Sequence, residues 1–179
     1  MFTGMSLIWD RQFGFLKESL VAPVSRLKLL MGRTLGGATI AVLQGILVLM
    51  ISFLIGFRID NLAVVVPVIL FMFLVSIFFT LVGTTIATQL EDMEAFPLIM
   101  NFIMMPIFFL SGALFPLKGL PASINFIAKI NPLSYGVDGL RIMFNGGGQF
   151  GLGLDILILA VITGIVLVIG SRLFGKIQI

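Results

Sequence analysis

Bond-making chemistry needs titratable or nucleophilic side chains, and the 179 residues of this chain include no His and no Cys. The commonest general base and metal ligand is therefore missing, as are thiol nucleophiles and thiolate metal sites. Glu91, Asp92 and Glu94 fall within four residues of one another. Each charge placed in hydrocarbon costs several kcal/mol, about 7–10 kcal/mol for three, so this triplet belongs in water. Gly146, Gly148 and Gly151 spell G-x-G-x-x-G, but no strand precedes them and an apolar run follows. A loop is the better reading than a dinucleotide site. No G-x-x-x-x-G-K-[ST] run is present, so no P-loop can hold a nucleotide. With no buried carboxylate expected either, an intramembrane enzyme lacks both nucleophile and base. We expect no catalytic residue, no metal site and no cofactor on this chain.

What remains is polar chemistry of a weaker kind. Gln44 and Asn101 place amides in apolar surroundings, where they need hydrogen-bonding partners: another helix, or the lining of a pathway. Ser76, Thr80, Thr84 and Thr88 form a hydroxyl stripe at i, i+4. Such hydroxyls often bond the carbonyl of their own helix four residues back, and the alternative is a substrate-facing role. Met104, Phe108 and their neighbours Met100, Met105, Phe102 and Phe109 make a flexible, flat apolar surface suited to varied apolar ligands or to lipid contact. Gln44, Thr80, Thr84, Asn101, Met104 and Phe108 are thus the substrate-pathway candidates. Gly37, Ala41 and Gly45 lie four apart, as do Gly83 and Ala87. Small residues at that spacing let helix backbones approach closely, for packing or for sliding during transport.

The elements that must carry these residues are membrane helices. Hydrophobic residues make up 59% of the chain and charged residues 11%, and the mean hydropathy is +1.21. So little polar surface cannot cover so much apolar surface in water. The expected fold is all-α and polytopic, with four transmembrane helices at residues 34–57, 61–90, 95–117 and 152–174. Pro106 should kink the third, and Asp155 and Arg172 should bound the fourth at the interfaces. Residues 10–33 form a cytoplasmic segment, and residues 118–151 an outer segment. Within the latter, Leu120, Ile124, Ile127 and Ala128 predict a short surface helix, Asn131-Pro132 a break, and Val137 and Leu140 a second helix. Residues 1–9 are apolar but too short to span, and read as the end of a helix.

Basic residues set the orientation. Arg11, Lys17, Arg26, Lys28, Arg33, Arg172 and Lys176 fall on one side, against Arg58, Lys118, Lys129 and Arg141 on the other. This imbalance places both ends in the cytoplasm. The basic residues flank apolar runs and are not interleaved with exposed aromatics, so a nucleic-acid partner is not expected despite the net charge of +3. The first residues lack a basic stretch ahead of a short apolar core and so are not expected to be a signal peptide. No charged residue is expected deep in a span, which argues against an ion-coupled transporter. If solute is moved uphill, the energy comes from another subunit.

The stretch from Trp9 to Leu20 reads as an amphipathic helix with Phe13, Leu16 and Leu20 on one face, stopped by Pro23. It could lie on lipid headgroups or dock a soluble partner. The run Phe13-Gly14-Phe15-Leu16-Lys17-Glu18-Ser19-Leu20-Val21-Ala22-Pro23-Val24-Ser25-Arg26 resembles the cytoplasmic loop of type-2 ATP-binding-cassette (ABC) exporter permeases, which carry a G-x-L-E-x-L-x-x-[TA]-P-[VL]-S-like stretch. A second match follows in order: Leu110-Ser111-Gly112-Ala113-Leu114-Phe115-Pro116, then Asn131-Pro132-Leu133-Ser134-Tyr135-Gly136-Val137-Asp138-Gly139-Leu140-Arg141. It is similar to the family's outer segment.

The resemblance implies a six-helix permease that works as a homo- or heterodimer on two ABC ATPase subunits, which bind the ATP. It implies that Arg11 to Val21 is a coupling helix seated on the ATPase, with Arg11, Phe13, Leu16, Lys17, Glu18, Leu20 and Pro23 as its working residues. The four spans here would be family helices three to six, with residues 1–9 a stub of helix two and the chain N-terminally truncated. Exported drugs, lipids or glycans are the implied substrates, the drug and daunorubicin-resistance branch standing nearest, and the plasma membrane is the implied location. A non-transporting membrane scaffold fits the composition equally well.

Overall fold

The computed structural model describes residues 2–15, 25–59, 61–115 and 122–175. Among them every regular element is helical: α1 (Phe2–Gln12), α2 (Arg26–Leu54), a short 3-10 turn (Leu62–Val64) running into α3 (Val65–Ala87), α4 (Ala95–Phe109), α5 (Ala122–Ile130), α6 (Pro132–Asn145) and α7 (Leu152–Gly175). Three are long and apolar enough to cross a bilayer: Arg26–Leu54 with 29 residues, Leu62–Ala87 with 26 and Leu152–Gly175 with 24. At about 1.5 Å per residue each exceeds a hydrocarbon core of about 30 Å. The all-α, polytopic membrane architecture expected from composition is the one found.

The third expected span differs. Its helix, α4, has 15 residues and ends at Phe109, about 22 Å by the same rise. Pro106 withholds one backbone donor inside it. The Ser111 hydroxyl then donates to the Phe108 carbonyl at 2.7 Å and accepts from the Ala113 N–H at 3.2 Å, giving the backbone a turn in place of another helical turn. Pro116 and Leu117, the expected end of this span, lie outside the described residues.

The chain divides into two compact units: unit 1, formed by Met1–Ile40, Ser76–Phe102 and Ile162–Ile179, and unit 2, formed by Ala41–Val75 and Ile103–Val161. In unit 1, Leu7, Ile8, Leu30, Leu81, Phe96, Met100 and Phe174 are buried together with Thr34, Thr80, Thr84 and Thr88. The backbones come close here. A Cβ on Gly37 would run into the Thr3 hydroxyl and stand 2.7 Å from Thr80 Cγ2, and one on Gly4 would stand 2.8 Å from the Gly83 carbonyl oxygen. In unit 2, Val42, Val68, Phe71, Ala128, Tyr135 and Leu159 form the apolar core. The phenyl ring of Phe71 occupies the space a Cβ on Gly139 would need.

Asn131 divides α5 from α6. Its side-chain oxygen accepts from the Leu133 N–H, it caps a helix that opens with Pro132, and the αL residue Gly146 ends that helix. The break expected at Asn131-Pro132 and the loop expected at Gly146–Gly148 are both present.

Candidate functional site

Three groups of side chains could carry function, and they differ in kind. The first is at the end of α1. Arg11 lies in its last turn, where a cation suits the helix dipole. Its guanidinium donates to Glu91 Oε1 at 2.9 Å, and the neighbouring Gln12 amide donates to the Glu91 carbonyl at 2.8 Å. Asp10 pairs with Arg33 of α2. The acidic stretch is turned by Asp92, whose side chain accepts from the Glu94 N–H.

This differs from the single amphipathic helix expected from Trp9 to Leu20. Gln12 closes α1, and the chain then turns through Gly14 at φ +81°, a conformation glycine adopts at little cost. Phe13 and Phe15 remain 68% and 61% exposed, large apolar surfaces suited to contact with lipid or protein. Leu16, Lys17, Glu18, Leu20 and Pro23 lie outside the described residues.

The second group comprises the pathway candidates. Thr80 and Thr84 are buried in unit 1, and the Thr84 hydroxyl donates to the Thr80 carbonyl four residues back at 2.8 Å. Gln44 on α2 and Asn101 on α4 are exposed, and neither side chain has a hydrogen-bond partner among the described residues. Phe108 is 45% exposed, and beside it on α4 stand Leu98, Phe102 and Met105 at 71%, 83% and 61%; Met104 is half-buried. Leu98, Asn101 or Phe102, Met105 and Phe108 recur at helical spacing, so one face of α4 is open, apolar and interrupted by a single amide. Of the small residues, Ala87 is buried, Ala41 is half-buried, and Gly83 faces Met100, whose Cε would stand 3.7 Å from an added Cβ. The methyl end of Met72 fills the space beside Gly45.

The third group, in unit 2, did not figure among the sequence candidates. Asp138 is 4% exposed, and its carboxylate accepts from the backbone N–H of Gln149 at 2.8 and 2.9 Å and of Phe150 at 2.9 Å. The Asn131 amide donates to the Ile107 carbonyl at 2.6 Å, and Arg141 donates to the Gly112 carbonyl at 2.9 Å. The Tyr135 hydroxyl donates to the Lys129 carbonyl, and its ring packs on Phe150 with centroids 5.0 Å apart. Burial, and then the charge of Asp155, raises the Tyr135 phenol above its ordinary value of 10.0. Asp155, in the first turn of α7, is wholly buried, and neither carboxylate oxygen has a hydrogen-bond partner among the described residues. The sequence signal for this group is an Asp three residues before an Arg in an otherwise mostly apolar helix.

Among the described residues no group of three or more His, Cys, Asp or Glu could hold a metal ion. The described arrangement offers packing faces, ion pairs and a segment around α6 pinned by side-chain hydrogen bonds.

The ABC-2 type transporter family model matches residues 1–145. The chain is 31% identical over 147 residues to the transport permease ycf38 of Pyropia yezoensis, covering 80% of this chain and 50% of that protein. It is 26% identical over 144 residues to the protein of the same name in Cyanophora paradoxa, again 80% of this chain and 50% of that one. To the inner membrane transport permease YadH of Escherichia coli (strain K12) it is 30% identical over 132 residues, 73% of this chain and 50% of YadH. The matches thus take in half the length of these curated relatives. No solved structure matches. Its sequence and its helices together make this chain a member of the ABC-2 type transporter family and a multi-pass membrane protein.

Proposed function

We propose that the chain is the membrane-spanning subunit of an ATP-driven exporter, working as a dimer of permease subunits on a separate ABC ATPase. The family match over residues 1–145 carries this reading. The sequence supports the division of labour, since these 179 residues carry no P-loop run of their own. In this reading the Arg11–Val21 segment is the coupling element. ATP binding draws the ATPase subunits together, the segment follows, and α1 passes the movement to α2 through Asp10–Arg33 and to the 88–94 turn through Arg11–Glu91. Exposure of Phe13 and Phe15 supports a docking role for this segment.

The substrate is apolar or amphipathic, of the drug, lipid or glycan class. The open face of α4, with Asn101 and Phe108, is the surface offered to it or to the second permease copy. An exposed amide in hydrocarbon requires a partner of one of these kinds. The basic residues place both chain ends in the cytoplasm, and the family resemblance favours the plasma membrane.

The test is co-purification with the cognate ATPase together with nucleotide-dependent export. Phe13→Asp and Glu18→Arg should each cost the complex and the transport. Retention of both complex and transport by both variants would refute the coupling assignment.

A further inference from the structure

Unit 2 contains an open recess of about 380 Å³ lined by Leu49, Ser52, Ile55, Phe57 and Phe144. Its size lies in the range of small-molecule sites, roughly 300–1,000 Å³. The way the sequence builds it is specific. At the end of α2 the Phe57 N–H donates to the Ser52 carbonyl at 3.0 Å and the Gly56 N–H to the Phe53 carbonyl at 3.1 Å. This is a Schellman ending, which needs Gly56 at its φ of +108°. It folds Phe57 back toward Phe53, with ring centroids 6.1 Å apart. Phe144, from the last turn of α6, meets Phe57 edge-on at 5.5 Å.

The walls offer almost no polar group, because the Ser52 hydroxyl is already committed to the Val48 carbonyl at 2.9 Å. Around the recess Leu54 and Ile55 are 87% and 82% exposed, surface that only hydrocarbon can cover without penalty. Arg58 follows Phe57 directly, is exposed, and has no ion-pair partner among the described residues. An apolar recess in the last turns of a membrane-spanning helix, followed at once by a free guanidinium, has the order of an acyl chain and its phosphate.

We propose that this recess is a phospholipid site: one acyl chain lies against Leu49, Ile55, Phe57 and Phe144, and the headgroup phosphate is held by Arg58. A phospholipid combines an acyl chain with a fixed anion, so the adjacent guanidinium favours it over an uncharged or cationic apolar molecule.

The test uses the protein reconstituted in phosphatidylcholine nanodiscs doped with phosphatidylglycerol bearing a photoactivatable diazirine in its acyl chain. Labelled peptides are then mapped by mass spectrometry. Labelling should concentrate on the peptides containing Leu49–Phe57 and Phe144, above that of the exposed α7 positions Leu157 and Val161. Arg58→Glu, a surface change that leaves the walls intact, should lower it about fivefold, and Ser52→Phe, which fills the recess, should lower it further. Labelling no higher than at Leu157 and Val161 would overturn the proposal. So would labelling indifferent to Arg58→Glu, or displacement of the probe by a cationic drug without effect from added phosphatidylglycerol, which would assign the recess to substrate.

Discussion

The two polar regions of this molecule hold their helices in opposite ways. Around the end of α1, contact is made by ion pairs near the surface: the side chains of Glu91 and Arg11 are 82% and 28% exposed, those of Asp10 and Arg33 31% and 21%. Around α6, contact is made by buried hydrogen bonds from single side chains to backbone groups, at Asn131, Tyr135, Asp138 and Arg141. Exposed pairs contribute about 0–1 kcal/mol and are screened by salt. Buried carboxylates that satisfy backbone donors are costly to remove, because the donors are then stranded. The first region is therefore suited to rearrange and the second to keep its shape.

The contrast breaks most clearly at Asp138. Asp138→Ala strands the N–H groups of Gln149 and Phe150, at about 1–3 kcal/mol each, and should lower the thermal unfolding midpoint in detergent more than any other single change discussed here. Asn131→Ala removes a helix cap, for about 0.5–2 kcal/mol, and releases the Ile107 carbonyl as well. Asp155→Asn should do the reverse and raise the midpoint, since it replaces a buried carboxylate without partners by a neutral group of the same shape. A fall as large as that of Asp138→Ala would show that Asp155 has a partner in the assembled transporter.

Smaller effects sharpen the other side. A double-mutant cycle on Arg11→Ala and Glu91→Ala should give a coupling energy of no more than about 1 kcal/mol, shrinking as salt is added. The smallest effect concerns pH. The Tyr135 phenol titrates higher in the folded protein than its ordinary 10.0. Below that value both states hold the proton and nothing changes. Above it the unfolded chain loses the proton first, so stability falls as pH rises past about 10. Tyr135→Phe should abolish that part of the alkaline decline while losing the bond to the Lys129 carbonyl.

Much of this architecture was legible in residue patterns because lipid imposes coarse rules. Long uncharged runs gave α2, α3 and α7, and the chemistry of Asn131-Pro132 and Gly146 gave the break and the loop. The end of α4 was not legible, because hydropathy continues past Phe109 while the Ser111 hydroxyl diverts the backbone. The turn at Gly14 was missed for a similar reason: the apolar spacing across Trp9 to Leu20 fits one helix, and only the backbone conformation of Gly14 interrupts it. The network at Asp138 was hidden because its acceptors serve backbone N–H groups far along the chain, which side-chain periodicity does not encode. Gln44 and Asn101 were readable as amides in need of partners, and the structure leaves them facing outward.

The most direct measurement of the central claim is solute movement in proteoliposomes holding the permease with and without its ABC ATPase. Transport should require both the ATPase and hydrolysable ATP, and should survive collapse of the proton gradient. Uptake driven by a proton gradient alone, with ATPase and nucleotide left out, would contradict it.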